Sequence, residues 1–445
     1  MSAEESNAVL AAETPALWAA LSDLGRRVYF PRDIPFQAAQ ARGARYNGTI
    51  GQITDGHGSA LRITALDEAL SGLDPVDRNT ALLYSPMAGV PELRERWQAW
   101  QRRGNPRSPS TVPLVTVGMT QGVAIAADLF GGPDRAVAVP APFWGNYRQI
   151  FGTRGGARIL QAPLFRSGRF NARVIEEALA GEPAGAPATS VLNFPANPGG
   201  YAPSEAERAE LIGSLRRVAD ERPLVVVCDD AYEGFVHESG VPGGSIFWEL
   251  AGAHPNLVPV KIDGATKEFA FFGGRVGFIA FAFDPSSAVA AALEDKVLGL
   301  IRTSVGSPVT ATQVVLLAAM RSGAAEAEID SLRERLTARH GIMMDALSSV
   351  DPALLRPLPC NAGCFALVEL PDGLDPDAVR THLLAHEDTG VIAVRPNYLR
   401  LAFCSVSSSA IPELVARTAR GVREMSDTGR ETQPLAEILT QGADQ

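Results

Sequence analysis

Leu224-Val-Val-Val-Cys-Asp-Asp-Ala-Tyr-Glu-Gly-Phe235 opens as an apolar run and stops on two adjacent carboxylates. The run is too apolar for an exposed strand, and a short strand buried on both faces belongs to a parallel sheet covered by helices. Outward from it the same texture recurs at Leu114–Val117, Ala136–Val139, Val191–Phe194, Leu257–Val260 and Val276–Phe283. Stretches with helical periodicity, such as Ala172–Ala180 and Ser204–Glu221, lie between these runs, so strand and helix alternate from about residue 60 to 320. The expected fold class is therefore α/β, with a mostly parallel, doubly wound sheet.

Polar residues gather just after the apolar runs, at Asn197, Asp229 and Lys267, where a doubly wound sheet collects its ligand at the carboxyl ends of its strands. Gly181–Ala188 and Glu238–Gly244 read as surface loops. From about residue 325 the texture changes. A long helical stretch, Ala325–Val350, precedes strand-like Cys364–Glu369 and Leu399–Phe403 and a final helix from Ser407, which predicts a second, smaller α+β domain.

The 445 residues are 46% hydrophobic and 20% charged, which excludes a low-complexity chain. A formal charge of −10 disfavours nucleic acid and anionic lipid as partners. Cys228, Cys360, Cys364 and Cys404 are too few and too scattered for a disulfide framework, and Cys360/Cys364 has no second pair to complete a zinc site. Met1–Leu10 lacks a basic segment followed by an apolar one, and no apolar run approaches membrane-spanning length, so a cytoplasmic protein is expected. His382 and His386 lack the intervening Glu of a zinc protease and read as a solvated face.

Of 40 basic residues only Lys261, Lys267 and Lys296 are lysine, leaving 37 arginines. Arginine cannot surrender its proton, so chemistry that needs a neutral amine must keep lysine. Lys267 alone has a suggestive setting, in Asp263-Gly-Ala-Thr-Lys-Glu-Phe-Ala-Phe-Phe-Gly-Gly-Arg-Val-Gly277: a turn, apolar residues, and Arg275 to bind an anion. Upstream, Asp230 has the position of a helix N-cap. Asp229 differs: with Tyr232 nearby and a lysine downstream, a buried carboxylate supplies the parts that hold a protonated pyridine ring, that of pyridoxal phosphate.

Eight stretches then match, in order, those of a known family: Tyr84-Ser-Pro-Met-Ala-Gly-Val-Pro-Glu-Leu-Arg94, Gly118-Met-Thr-Gln121, Pro142-Phe-Trp-Gly-Asn-Tyr147, Asn193-Phe-Pro-Ala-Asn-Pro-Gly-Gly200, Asp229-Asp-Ala-Tyr232, Thr266-Lys267 through Arg275-Val-Gly277, Ile301-Arg-Thr-Ser-Val-Gly-Ser-Pro308 and Leu399-Arg-Leu-Ala-Phe403. The sequence resembles the fold-type I, class I pyridoxal-phosphate aminotransferases, the group of aspartate aminotransferase. The resemblance implies a homodimer with shared active sites that moves an amino group between an amino acid and a 2-oxo acid by ping-pong half-reactions. It also implies an N-terminal arm and part of the small domain over 1–60, a large cofactor domain over 61–324 and a small domain over 325–445.

By that resemblance, Lys267 would carry the cofactor and shuttle the substrate proton. Asp229 would pair with the pyridine nitrogen, Asn197 and Tyr232 would hydrogen-bond the phenolic oxygen, and Trp144 would stack on the ring. Arg275, Thr266, Met119 and Thr120 would hold the phosphate, joined by Tyr84 of the neighbouring subunit. Arg400 would grip the α-carboxylate under a segment containing Gly51. Arg302 would bind a distal carboxylate of aspartate or glutamate across the subunit boundary, or serve as a plain surface arginine. Taken singly, Trp144 suits a core, Asn197 a turn and Thr120 a helix cap. The sequence departs from the family at Gly199, where a threonine is usual, and at Gly118 and Gly264, where the aspartate subgroup has phosphate-binding serines. Asp263 and Glu268 are unusual too. A lyase or decarboxylase of the same fold, or a non-catalytic ligand-sensing module, are the alternatives; the latter would need a DNA-binding extension, which the short, acidic segment before Tyr46 is not expected to supply.

Overall fold

The computed structural model describes residues 2–103 and 108–441, with side chains through residue 427. The chain forms two compact units: residues 1–31, 62–197 and 201–333 make the first, and 32–61, 198–200 and 334–445 the second.

The first unit is built on seven strands: β1 (Leu114–Val117), β2 (Ala136–Ala141), β3 (Arg158–Pro163), β4 (Ala188–Asn193), β5 (Leu224–Asp229), β6 (Leu257–Gly264) and β7 (Val276–Phe281). Their order is β1-β7-β6-β5-β4-β2-β3. From β3 to β6 the strands are parallel; β7 is antiparallel to both neighbours. The reversal follows from chain length. Ala265–Arg275 holds only a helical turn and a 3-10 turn, too short to recross the sheet as a parallel connection must.

Continuous apolar strands work here because both faces are covered. In β5, Val226, Val227 and Cys228 are fully buried, and each buried valine stabilises the fold by about 1.5–3 kcal/mol. The covering helices include α1 (Pro91–Gln101), α2 (Gly118–Phe130), α3 (Glu205–Glu221), α4 (Ala265–Glu268) and α5 (Ala288–Ser304). Helix α3 starts where the sequence predicts. Ser204 caps it, and Glu207 returns a 2.8 Å hydrogen bond from the Ser204 backbone. It buries Arg208, Leu211, Leu215 and Val218, spaced at helical intervals.

Strand β3 is the one the apolar runs do not announce. Its Arg158-Ile-Leu-Gln-Ala-Pro sequence is interrupted by Arg158 and Gln161, both exposed, on a sheet-edge strand with a single partner, β2.

In the second unit, β8 (Arg356–Pro357), β9 (Phe365–Glu369), β10 (Ile392–Val394) and β11 (Tyr398–Ala402) form an antiparallel sheet in the order β8-β9-β11-β10. Leu367, Val368, Leu399 and Leu401 are fully buried. Tyr46–Asn47 pairs in parallel with Thr389–Gly390, and Gly48 continues the contact by accepting from Ala402 N at 2.8 Å. The segment near residue 50 is thereby tied to its own unit.

Candidate active site

The predicted residues of the first unit converge on one edge of its sheet. Asp229 ends β5, Asn197 follows β4, Trp144 follows β2, and Gly118-Met119 begins α2 directly after β1. Lys267 lies on α4, the turn leaving β6. Because β7 is antiparallel, its first residue reaches this edge: Val276 lies opposite Val117, and Gly277 opposite Gly264. Arg275 is therefore delivered to the same place.

Asp229 is 4% exposed. Its Oδ2 accepts from Tyr147 Oη at 2.5 Å and its Oδ1 from Ala231 N at 3.3 Å, while Asn193 Nδ2 donates to its carbonyl at 2.8 Å. Burial pushes its pKa up to about 6, against the downward pull of Tyr147, the Ala231 amide and the Lys267 charge. A carboxylate so desolvated is set for a cationic partner. Burial, reinforced by Asp229, raises the Tyr147 phenol well above its ordinary value, so it stays a donor. Tyr147 was within the matched stretch 142–147, but no spacing rule links it to a carboxylate 82 residues later. Trp144 stands edge-on to Tyr147, with ring centroids 5.4 Å apart. Lys267 Nζ lies 5.5 Å from the Tyr232 ring centroid and 4.7 Å from that of Phe272, two aromatic faces that attract its ammonium.

Beside Lys267, the Thr266 hydroxyl is buried without a hydrogen-bond partner among the described residues. Around it three glycines leave no room for side chains. A Cβ on Gly118, where φ is +70°, would stand 2.3 Å from Arg275 Nη2; one on Gly264 would stand 2.6 Å from Val276 O; one on Gly277 would stand 2.6 Å from Met119 N. The loss of serine at 118 and 264 thus has a steric cause: the Arg275 guanidinium and the tight β6–β7 turn occupy the space. The cradle has a cation, an orphaned hydroxyl and the start of helix α2, which suits a phosphate. With Asp229 placed for a pyridinium nitrogen, these residues fit pyridoxal phosphate. Gly118→Ser should therefore weaken cofactor binding by roughly tenfold or more, since it strains the backbone and displaces Arg275. Titration of the apoprotein with cofactor checks this.

Asp230 does not cap a helix. A turn follows it, and its buried carboxylate instead accepts from Lys261 Nζ at 2.6 Å. Lys261, without a suggestive sequence setting, is fully buried. Asp263 accepts from Trp97 Nε1 at 3.0 Å and from Gln101 Nε2 at 2.8 Å. Glu268 accepts from Trp100 Nε1 at 3.0 Å and Arg333 Nη2 at 2.8 Å. Both unusual acids are structural anchors for helices behind the edge.

Thr120, the third residue of α2, lies in the helix's first turn beside Met119 and is not its cap. Two predicted residues stand apart from this cluster. Tyr84 is 94% exposed, and Arg302 is exposed on the last turn of α5. In the second unit, Arg400 is 1% exposed; its Nη2 donates to Thr49 O at 2.7 Å and its guanidinium lies 4.1 Å from the Phe365 ring centroid. Gly51 is partly buried, two residues beyond Thr49.

The aspartate/prephenate aminotransferase of Thermus thermophilus is 27% identical over 304 residues, 67% of this chain and 71% of that protein. Aromatic-amino-acid aminotransferase 2 of Thermococcus litoralis is 26% identical over 62% of this chain and 66% of its own length. Among solved structures, the Pyrococcus horikoshii kynurenine aminotransferase in complex with PMP superposes with a TM-score of 0.76 at 20% identity, covering 92% of this chain and 98% of that one. An aminotransferase from Anaerococcus prevotii also gives 0.76, at 21% identity, covering 88% and 97%. The profile of Aminotransferase class I and II matches residues 49–417, so this chain belongs to that family of pyridoxal-phosphate enzymes, which transfer amino groups between amino acids and 2-oxo acids.

Proposed function

We propose that Lys267 is the cofactor-bearing and proton-transferring residue, and that the buried Asp229, raised to a pKa of about 6 and directed to the same edge, carries this reading. When bound, the cofactor supplies an electron sink for the charge left at the substrate α-carbon. Asp229 holds the ring nitrogen protonated, with Tyr147 fixing the carboxylate. Asn197 and Tyr232 hydrogen-bond the phenolic oxygen. Trp144 covers the ring and excludes water. Thr266, Arg275 and the amides at Met119 and Thr120 bind the phosphate. Lys267 would take the proton from the substrate α-carbon and deliver it to the cofactor's former aldehyde carbon, two atoms along, beyond the nitrogen. Arg400 binds the α-carboxylate through paired hydrogen bonds, beside the segment bearing Gly51.

The assembly proposed is a cytoplasmic homodimer. Val76, Leu82 and Tyr84 are 74%, 88% and 94% exposed, an apolar group unsuited to water and suited to a second copy of the chain. There Tyr84 would reach the partner's phosphate and Arg302 the distal end of the partner's substrate. No helix among the described residues is long and apolar enough to cross a membrane.

Mixing holoenzyme with L-glutamate alone tests the activity. About one equivalent of 2-oxoglutarate per site should appear, with turnover resuming only when a 2-oxo acid is added. Continuous release of ammonia or carbon dioxide without an acceptor would overturn the reading. The names of the relatives divide between acidic and aromatic substrates, and Arg302 favours the acidic class. Arg302→Ala should lower kcat/KM for aspartate by roughly 10–100-fold and leave phenylalanine within about threefold. Equal losses for both amino acids would remove Arg302 from substrate recognition.

A further inference from the structure

Behind the strand ends lies a buried charge cluster that the chemistry above does not use. Lys261 Nζ donates to Asp230 Oδ2 at 2.6 Å and to Glu233 Oε2 at 2.5 Å, and lies 3.7 Å from Asp263 Oδ2. Lys261 is fully buried and Asp230 and Asp263 are each 5% exposed. One ammonium thus faces three carboxylates. Burying each ion costs several kcal/mol, and an apolar set of similar volume would stabilise the fold as well or better. Stability alone is a poor reason for such a cluster; a fixed geometry is a better one.

The chain's alternation shows which geometry. Asp229 and Asp230 are consecutive, so at the end of β5 they point to opposite sides. Tyr232 and Glu233 repeat this in the turn that follows. In each pair the first residue faces the cofactor edge and the second reaches Lys261. Along β6, Lys261 and Asp263 share one face, and Asp263 leads directly into Gly264, Thr266 and Lys267. Backbone contacts reinforce the tie: Asp230 N donates to Ile262 O at 2.9 Å, and Ser245 N to Glu233 Oε1 at 3.0 Å. Trp97 and Gln101 on α1 hold Asp263 from behind.

We propose that Lys261 is a positioning residue whose ammonium, through Asp230, Glu233 and Asp263, locks the exits of β5 and β6 together and so sets Asp229 and Tyr232 against Lys267 before the cofactor arrives. The inference rests on the cofactor contacts proposed above. Burial works against the charge on Lys261, yet the surrounding carboxylates overcome it and hold the ammonium well above its ordinary pKa, so the ammonium stays charged, while burial raises the Asp230 and Asp263 carboxyls against its pull.

Removing the ammonium alone would strand three carboxylates, so the test pairs Lys261→Met with Asp230→Asn in one chain and uses Glu233→Gln, which deletes one contact, as a milder companion. For variants shown folded by circular dichroism, three properties are read: affinity of the apoprotein for pyridoxal phosphate, the pH midpoint of the holoenzyme absorbance change, and kcat separately from KM. The double variant should bind cofactor at least tenfold more weakly, shift the midpoint by half a unit or more, and lose at least tenfold in kcat with KM changed less than threefold. Glu233→Gln should move all three in the same direction, by less. If the double variant does not fold, Glu233→Gln decides alone. A folded variant with wild-type affinity, midpoint and kcat overturns the proposal and makes the cluster purely structural. Wild-type protein run in parallel separates this from failure of the functional reading: if it neither binds the cofactor nor transfers amino groups, that reading has failed instead.

Discussion

Lys267→Ala should reduce amino transfer by at least about a thousandfold while leaving the fold intact. The magnitude combines loss of the proton-transferring group, worth 10²–10⁴ on its own, with loss of covalent attachment. The fold should survive because Lys267 is only partly buried, on a four-residue helix, and alanine is a strong helix former. Neither remaining lysine can substitute. Lys261 is held by carboxylates and Lys296 is exposed on α5. Borohydride reduction of wild-type holoenzyme, followed by peptide mapping, should place the cofactor on Lys267; a label on another residue would remove the basis of the mechanism.

Asp229→Asn should lower kcat/KM by roughly a hundredfold or more, because a neutral amide cannot hold the ring nitrogen protonated. The same change should stabilise the protein without cofactor. The folded pKa of Asp229, about 6, exceeds its ordinary value of 3.8. Between these values the folded chain binds more protons than the unfolded one, so stability falls as pH rises through the window, and the full cost, about 3 kcal/mol, persists above it. The apo variant should therefore melt above apo wild type at pH 8, the difference shrinking toward zero below pH 4. With cofactor bound at pH 8 the order should reverse. Melting curves of both proteins, with and without cofactor, across that range check the sign; a wild-type apoprotein that is the more stable of the two at pH 8 would contradict it.

The strands of the first unit were legible because β5 and its neighbours are buried on both faces and carry uninterrupted apolar runs. Edge strand β3 was not, since Arg158 and Gln161 meet solvent and interrupt its apolar run. Asp229 and Lys267 stood out through the scarcity of lysine and the abrupt end of an apolar run. Their support did not. The partners of Lys261 lie 31 and 28 residues upstream, on another strand and its turn, and only the sheet register brings them together. Asp230 misled for the same reason: the local pattern of a cap was complete, and a tertiary ion pair claimed the side chain. The glycines at 118 and 264 read as lost hydroxyls until the space filled by Arg275 and Val276 was visible.

The three lysines divide cleanly by situation: one is enclosed by acids, one is proposed to carry the cofactor, and Lys296 faces water. Acylating reagents applied to the loaded enzyme at mildly alkaline pH should accordingly modify a single side-chain position, on the outer surface of α5. A dye or a biotin attached to a side chain would therefore sit at that one position, a uniformity that proteins with dozens of such groups need engineering to reach.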